Sequence, residues 1–524
     1  MDHMNQTNET DNPNLIISWL KKVSPQARCV FLGALFFGLF AHGMGLFNKF
    51  SHHDDVAILF DQGSTVSSGR WMLQVLAWLE TKIYGTPNTS LPLYNGLISL
   101  VFIGLVGCLL VRLLKIKSRV YCTLLGCILV AFPVITSLFA YMFTSHPYML
   151  GLLMMTVSAC LICGKTPWWS KLIAIFVGGA GVGVYQAYLP FFVTIILLFH
   201  IMNLAENKEP ASTSIKKAFL HLLCILGVML IYVAGNQFFL NKYQVELSAY
   251  QGIADMGKMT FQSLMLRLVR TYREFFIPTR QVFGDMYPGT LYYLHILMLA
   301  SIFLLALRLI VFTGKKDKVK ALLLTLLFAL FPLGSNLIYV MVEDEVHSLM
   351  VYGQVMQVLL FILLFDRLDF SSWKLSQVTS IGAALLLSVT AIMYARYDNQ
   401  CYLKDALHQQ EAISYYTTLI TRIKSQPGYQ PEMRVIFANA VDPEDDTVYN
   451  IDELDFIRIT PYWHNSMEYL HCPTRNEFIR VWCGADFLWG WDPDLEASPE
   501  VQAMPSYPAD GSIQIINDSV VIKF

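Results

Sequence analysis

The 524-residue chain is 55% hydrophobic and only 15% charged, with a mean hydropathy of +0.47 and a formal net charge of -2. Too few charges are present to clothe a soluble globule of this size, so the composition specifies a polytopic membrane protein instead. No basic stripe interleaved with aromatics is present, which excludes nucleic acid as a partner.

In chain order, residues 1–26 form a mostly polar amino-terminal segment without an apparent cleavable signal, and the first apolar run is long enough to stay as an anchor. Runs of about 17 to 23 apolar residues, the length a bilayer core demands, recur at 27–48, 92–114, 120–141, 148–164, 171–187, 189–204, 218–240, 290–312, 321–342, 348–366 and 377–396. They predict an all-α polytopic membrane domain over 27–396 with about eleven transmembrane helices.

The connections alternate in charge. Lys21, Lys22 and Arg28 open the first run; Arg112, Lys115, Lys117 and Arg119 follow the second; Lys165 and Lys171 follow the fourth. Lys208, Lys216 and Lys217 follow the sixth, Lys315, Lys316, Lys318 and Lys320 the eighth, and Arg367 and Lys374 the tenth. The positive-inside rule assigns these connections and the amino terminus to the cytoplasm of a multi-pass cell-membrane protein. The outer face then receives the loop after the first run, TSHPY (144–148), the bend YQAYLP (185–190), the loop 241–289 and EDEVHS (343–348). An odd number of spans also carries the carboxyl terminus outside. There 397–524 reads as a small α+β extracytoplasmic domain, with a helix near 403–424 and strands at 434–440 and 519–524. Seven of the ten cysteines lie in or beside apolar runs, where a thiol is a small hydrophobe, whereas Cys472 and Cys483 could form a disulfide or stay reduced.

The first outer loop, SHHDDVAILFDQGSTVSSGRWM (51–72), holds the candidate chemistry. It places adjacent carboxylates, Asp54 and Asp55, behind His52 and His53 and ahead of Arg70. A carboxylate beside hydrocarbon is costly unless it has a use or a partner, and the arginine fork suits a phosphate. Solvated headgroup-level charges are the plainer alternative. Residues 66–85 pattern as a helix lying along the interface, and in 261–280 Arg267, Arg270 and Arg273 recur every three residues among apolar ones. Those arginines would meet lipid phosphates or help hold a lipid-linked substrate. Tyr185 and Gln186, at the bend, could hydrogen-bond a sugar or cap exposed backbone. GGAGVG (178–183) lies inside an apolar run, where small residues serve helix packing rather than a dinucleotide. His52, His53, His146 and His347 share the outer face without zinc-ligand spacing, so neither a metal nor another cofactor is expected.

Glycosyl transfer to a hydroxyl needs a general base, which a carboxylate supplies, and a lipid-phosphate leaving group needs a cation such as Arg70. The chain resembles the serotype-converting, phage-type Gtr glucosyltransferases, the glucosyltransferase family II group of the polytopic GT-C glycosyltransferases. The resemblance rests on HDDVAILFDQGSTVSSGRWM (53–72) and YQAYLP (185–190), and in layout covers about residues 30 to 400. It implies transfer of glucose or a related sugar from a polyprenyl-phosphate donor to a cell-surface polysaccharide on the extracytoplasmic side, with a donor synthase and a flippase acting upstream. Asp54 and Asp55 would be the catalytic acids, with His53, Arg70, Tyr185, Gln186, Arg267, Arg270, Arg273 and His347 as substrate-binding candidates. Neighbouring side chains diverge on any regular backbone, so one acid should be the base and the other a positioner; the first acid is the base in several GT-C relatives, which favours Asp54. Two features depart from the family: Trp71 stands where proline often follows the arginine, and the outer tail is longer. A transporter or flippase of a lipid-linked glycan is the competing class, but it would place its polar residues at mid-membrane. A third is an anchoring protein that binds glycan through its tail.

Overall fold

The computed structural model of the protein describes residues 23–50, 55, 62–85, 89–206, 209–248, 260–277, 289–342, 346–367, 373–439 and 475–524. The helices are α1 (Pro25–Phe47), α2 (Gln62–Ser67), α3 (Trp71–Tyr84), α4 (Pro92–Leu114), α5 (Arg119–Ala131), α6 (Val134–Phe139), α7 (Met142–Cys163), α8 (Trp168–Val184) and α9 (Leu189–Ala205). They continue with α10 (Ala211–Tyr243), α11 (Phe261–Phe276), α12 (Thr290–Gly314), α13 (Lys318–Ser335), α14 (Ile338–Met341), α15 (Met356–Asp366) and α16 (Trp373–Lys424). Among the described residues eight helical segments are long and apolar enough to cross a membrane. Three shorter apolar helices, Arg119–Ala131, Trp168–Val184 and Tyr352–Asp366, fall in the remaining apolar runs.

Local chemistry sets the ends. The Ser24 hydroxyl accepts from the Ala27 amide ahead of Pro25, and Asp317 accepts from the amides of Val319 and Lys320, so both starts satisfy amides that have no partner inside the helix. Close approach of α1 and α5 depends on glycine: a Cβ on Gly126 would lie 2.2 Å from the Val30 carbonyl oxygen, and one on Gly33 2.6 Å from that of Thr123.

Contacts sort the connections into two ends. At one, the amides of Lys117 and Ser118 donate to Asp366, Gln26 donates to the Lys117 carbonyl, and Arg367 reaches the Leu114 carbonyl and Glu206. At the other, Asp55 meets Ser90 and the start of α7, Gln186 meets Ser68, and Ser137 meets Ser348. These are the sets that the charge pattern had separated.

Three elements differ from the sequence reading. TSHPY is not a connecting turn but lies in the first two turns of α7, which begins at Met142 because a distant carboxylate satisfies an amide there; the preceding run breaks instead around Phe132 and Pro133. Helix α16 runs 52 residues without interruption through the expected boundary at 396/397. At 1.5 Å per residue it is about 78 Å long, well beyond a bilayer core. The third is α11, whose Arg267 and Arg270 face the protein while Arg273 and the apolar Phe261, Leu266 and Val269 are exposed.

The far end of α16 packs on a small sheet of order β2-β1-β4-β3, formed by β1 (Arg434–Ala438), β2 (Leu488–Gly490), β3 (Ile513–Ile516) and β4 (Ser519–Lys523), with α17 (Arg475–Trp482) beside it. β1 runs parallel to β2 and β4. β3 and β4 form a hairpin whose two turn residues, Asn517 and Asp518, both have positive φ (49° and 55°), as a tight hairpin turn requires. Tyr416, Leu419 and Ile423 of α16 share a core with Val435, Phe478, Val520 and Ile522. Cys472 lies outside the described residues, and with it the disulfide pairing considered for Cys483.

Candidate active site

Asp55 is buried (0% exposed) and both of its oxygens are engaged. Lys49 pairs with Oδ2, the Ser90 hydroxyl donates to the same oxygen at 2.9 Å, and the Phe143 amide donates to Oδ1 at 3.2 Å. Lys49 also donates to Ser90 at 2.9 Å, which closes a three-membered network. Phe143 is the second residue of α7, so the carboxylate completes a helix start whose dipole favours negative charge. Burial pushes the Asp55 carboxyl above the ordinary range, while Lys49, Ser90 and the Phe143 amide pull against it.

Arg70 stands at the entrance of α3. It donates to the Tyr148 hydroxyl at 3.0 Å and lies 5.9 Å from the Tyr148 ring centre and 5.3 Å from that of Tyr185. The two rings stack at 4.6 Å, and Tyr188 meets Tyr185 edge-on at 5.2 Å, so the guanidinium rests on an aromatic wall. Gln186 donates to the Ser68 carbonyl at 3.0 Å and to the Tyr232 hydroxyl at 3.1 Å. Its amide thus ties the bend to the turn ahead of Arg70. Between Ser68 and Arg70 the chain turns through Gly69 at φ +75°, where a Cβ would lie 2.6 Å from Gln186 Nε2 and 2.8 Å from the Tyr232 hydroxyl. Trp71 fits between Gly183 and Gly235, on each of which a Cβ would come within 2.6 Å of its indole.

Sequence reasoning missed a further pair. His146 on α7 meets Glu80 on α3, Nε2 to Oε1, at 2.7 Å. Glu80 falls within the helix expected over 66–85, and its spacing from His146 carries no signal. Phe143, His146 and Tyr148, which meet Asp55, Glu80 and Arg70 in turn, all fall within the first two turns of α7. From Phe143 to Tyr148 the helix rises only about 7.5 Å. A buried carboxylate, a carboxylate–imidazole pair and an arginine are thus gathered at one helix start.

The long helix α16 closes the side behind Asp55. Gln409 donates to the Lys49 carbonyl at 3.2 Å, Tyr402 meets His42 at 2.9 Å, and Thr136 donates to Asp398 at 2.6 Å. A small cleft beside the Asp55 network is lined by Phe50, Pro92, Thr136, Met142, Tyr402 and Asp405.

Other candidates stand elsewhere. Arg267 is buried and donates to Ser263 at 3.1 Å and to the Val340 carbonyl at 3.1 Å; Arg270 lies over the Tyr339 ring; Arg273 pairs with Glu274 at 2.6 Å. Their helix packs chiefly on α13 and α14, so Arg267 and Arg270 hold protein to protein. His347 is buried at the turn Ser348–Met350, where the Ser348 hydroxyl meets that of Ser137 at 2.8 Å. His53 and Asp54 lie outside the described residues, as do Glu343, Asp344 and Glu345. Among the described residues no group of three or more histidines, cysteines or acids is gathered as for a metal.

The sequence profile described as Glucosyl transferase GtrII matches residues 43–365, more than half of the chain, from the end of α1 to α15. The chain belongs to this family of glucosyl transferases. No curated protein and no solved structure matches it. Membership makes the chain a membrane glycosyltransferase, acting on a sugar donor and an acceptor. The matched region contains the Asp55 network, Arg70 with its tyrosines, and the Glu80–His146 pair.

Proposed function

We propose that this glucosyl transferase moves glucose, or a closely related sugar, from a polyprenyl-phosphate donor to a cell-surface polysaccharide, with inversion, on the extracytoplasmic face. The observation that carries the reading is Arg70, a permanent cation held against Tyr148 and Tyr185 within two turns of the anchored Asp55. A glycosyl phosphate presents a reacting carbon and an anionic leaving group side by side, and needs both features together.

In the reaction the acceptor oxygen bonds to the anomeric carbon while the bond from that carbon to the phosphate oxygen breaks. The acceptor proton passes to a carboxylate, and the bond's electron pair leaves on the polyprenyl phosphate, where Arg70 offsets the charge. Asp55, with both oxygens engaged, suits the positioning role, and the base role falls to Asp54. The opposite end of the bundle carries Arg112, Lys115, Lys117, Arg119 and Arg367, which supports a cytoplasmic assignment for that end and an outer one for the site. A donor made inside would then need a synthase and a flippase upstream. Residues 397–524 would follow the site to the outer face, and exposed Phe261, Leu266 and Val269 suit lipid.

The test is incubation of purified protein with polyprenyl-phosphate glucose and cell-surface polysaccharide, with a nucleotide-glucose arm in parallel. Sugar transfer from the lipid donor alone is expected. Transfer from the nucleotide sugar alone would overturn the donor assignment.

A further inference from the structure

Glu80 and His146 are joined by one hydrogen bond of 2.7 Å, which uses Glu80 Oε1 and His146 Nε2. The other two atoms, Glu80 Oε2 and His146 Nδ1, are buried and lack a hydrogen bond among the described residues. His146 is 8% exposed and the Glu80 side chain 17%. An unmet buried acceptor costs about as much as a lost hydrogen bond, so a carboxylate–imidazole pair with both outer atoms unmet is an unfavourable way merely to tie two helices together. It becomes favourable when a ligand meets both atoms.

The position says which ligand. Arg70 and Glu80 are ten residues apart on α3, about 15 Å along its axis, yet their heads meet Tyr148 and His146, only two residues apart on α7. The two side chains therefore reach the first two turns of α7 from points about 15 Å apart along α3, and meet it on different faces, since residues two apart on a helix diverge by about 200°. A group that spans the two has a phosphate-binding cation at one side and a pair of hydroxyl-binding atoms at the other. A carboxylate oxygen accepts from a hydroxyl, and an imidazole nitrogen either donates or accepts according to its tautomer, so neighbouring ring hydroxyls can be met in either sense.

We propose that Glu80 and His146 form the subsite that holds ring hydroxyls of the transferred sugar, and so set which hexose is accepted. The proposal rests on the polyprenyl-phosphate reading above. It gives the pair a binding role and leaves proton transfer to the loop acids.

The test measures binding of two lipids, polyprenyl-phosphate glucose and polyprenyl phosphate, to the purified full chain in detergent. The parent should bind the glucosylated lipid about 10- to 100-fold more tightly, the worth of one or two hydrogen bonds to charged or polar partners. In Glu80→Gln and in His146→Gln that difference should shrink to within about threefold, while affinity for polyprenyl phosphate stays at the parental value. Arg70→Lys should instead weaken both lipids together. Retention of the full difference in both variants would overturn the subsite, as would a parent that binds the two lipids equally. A parent that binds neither lipid would sink the donor reading itself, so the two failures are told apart by the parent alone. Thermal unfolding of each variant guards against misfolding. Should Glu80→Gln fail to fold, His146→Gln and a donor series lacking single hydroxyls serve in its place, with the parent discriminating against one deoxy donor and the variant not.

Discussion

Asp54 and Asp55 are neighbours in sequence, and the roles proposed for them predict that their replacements will fail in different ways. Asp55→Ala removes a partner from Lys49, from Ser90 and from the second amide of α7. Breaking a buried ion pair costs about 3–5 kcal/mol; because the Lys49 side chain is 23% exposed and can recover water, the low end, about 3 kcal/mol, is expected. Asp55→Asn keeps an acceptor for the Phe143 amide and removes a carboxylate whose burial already favours the neutral form, so it should cost less than Asp55→Ala. Asp54→Asn should leave the unfolding midpoint alone and lower turnover by about 100- to 10,000-fold, the worth of a general base. The assay pairs thermal unfolding in detergent with turnover at saturating donor. A parental midpoint and parental turnover in Asp55→Ala would refute the anchoring argument. Parental turnover in Asp54→Asn would remove the base from this loop and move the search to Glu343, Asp344 and Glu345.

Arg70→Lys gives up the bond to Tyr148 and the contact with the Tyr185 face, so donor affinity should fall about 10- to 100-fold at unchanged stability, read by equilibrium binding. Gly69→Ala forces a side chain into left-handed backbone and into Gln186 and Tyr232; it should lower stability by about 1–3 kcal/mol, and a parental midpoint would show that the turn relaxes freely. Asp55 titrates above its ordinary value of 3.8 because burial favours the neutral form, so the stability it contributes is complete below that value and is lost as pH rises through the raised one. The unfolding midpoint of the parent should therefore carry a downward component from mildly acid to neutral pH that Asp55→Asn lacks, as melting curves across that range would reveal.

The helices were legible because length and hydropathy alone define them: eight long apolar helices and three shorter ones fall in the apolar runs, although the run at 120–141 breaks at Phe132 and Pro133. The division of loops between two ends was legible for a similar reason, since Arg112, Lys117 and Arg367 mark one end whatever the fold inside. What periodicity cannot carry is a contact between distant residues. The start of α7 depends on Asp55, eighty-eight residues away, so the sequence reads TSHPY as a turn. Glu80 and His146 are sixty-six residues apart and conform to no motif spacing. The arginine spacing on α11 was read correctly as helical, but the sense of its amphipathicity was not. Arg267 and Arg270 point inward because backbone carbonyl and ring partners wait there at Val340 and Tyr339, and the apolar side turns out. Trp71 is intelligible only in three dimensions: the glycines that admit its indole, Gly183 and Gly235, belong to two other helices.

Helix α16 begins beyond the last residue of the family match, at 365, yet it is part of the wall around the Asp55 network. Asn399 donates to the Ala41 carbonyl at 3.0 Å, Tyr402 meets His42, and Gln409 fixes the Lys49 carbonyl, one residue's length from the ammonium that neutralises Asp55. The same helix then carries Tyr416, Leu419 and Ile423 into the core of the small sheet. The helix is continuous from Gln409 to Ile423, so no linker separates the wall of the Asp55 network from the core of the sheet. The segment beyond the family match is for that reason not an appendage on a flexible tether. Its helix supplies one side of the pocket, and the sheet at its far end buries the apolar residues that would otherwise leave the last turns of that helix exposed.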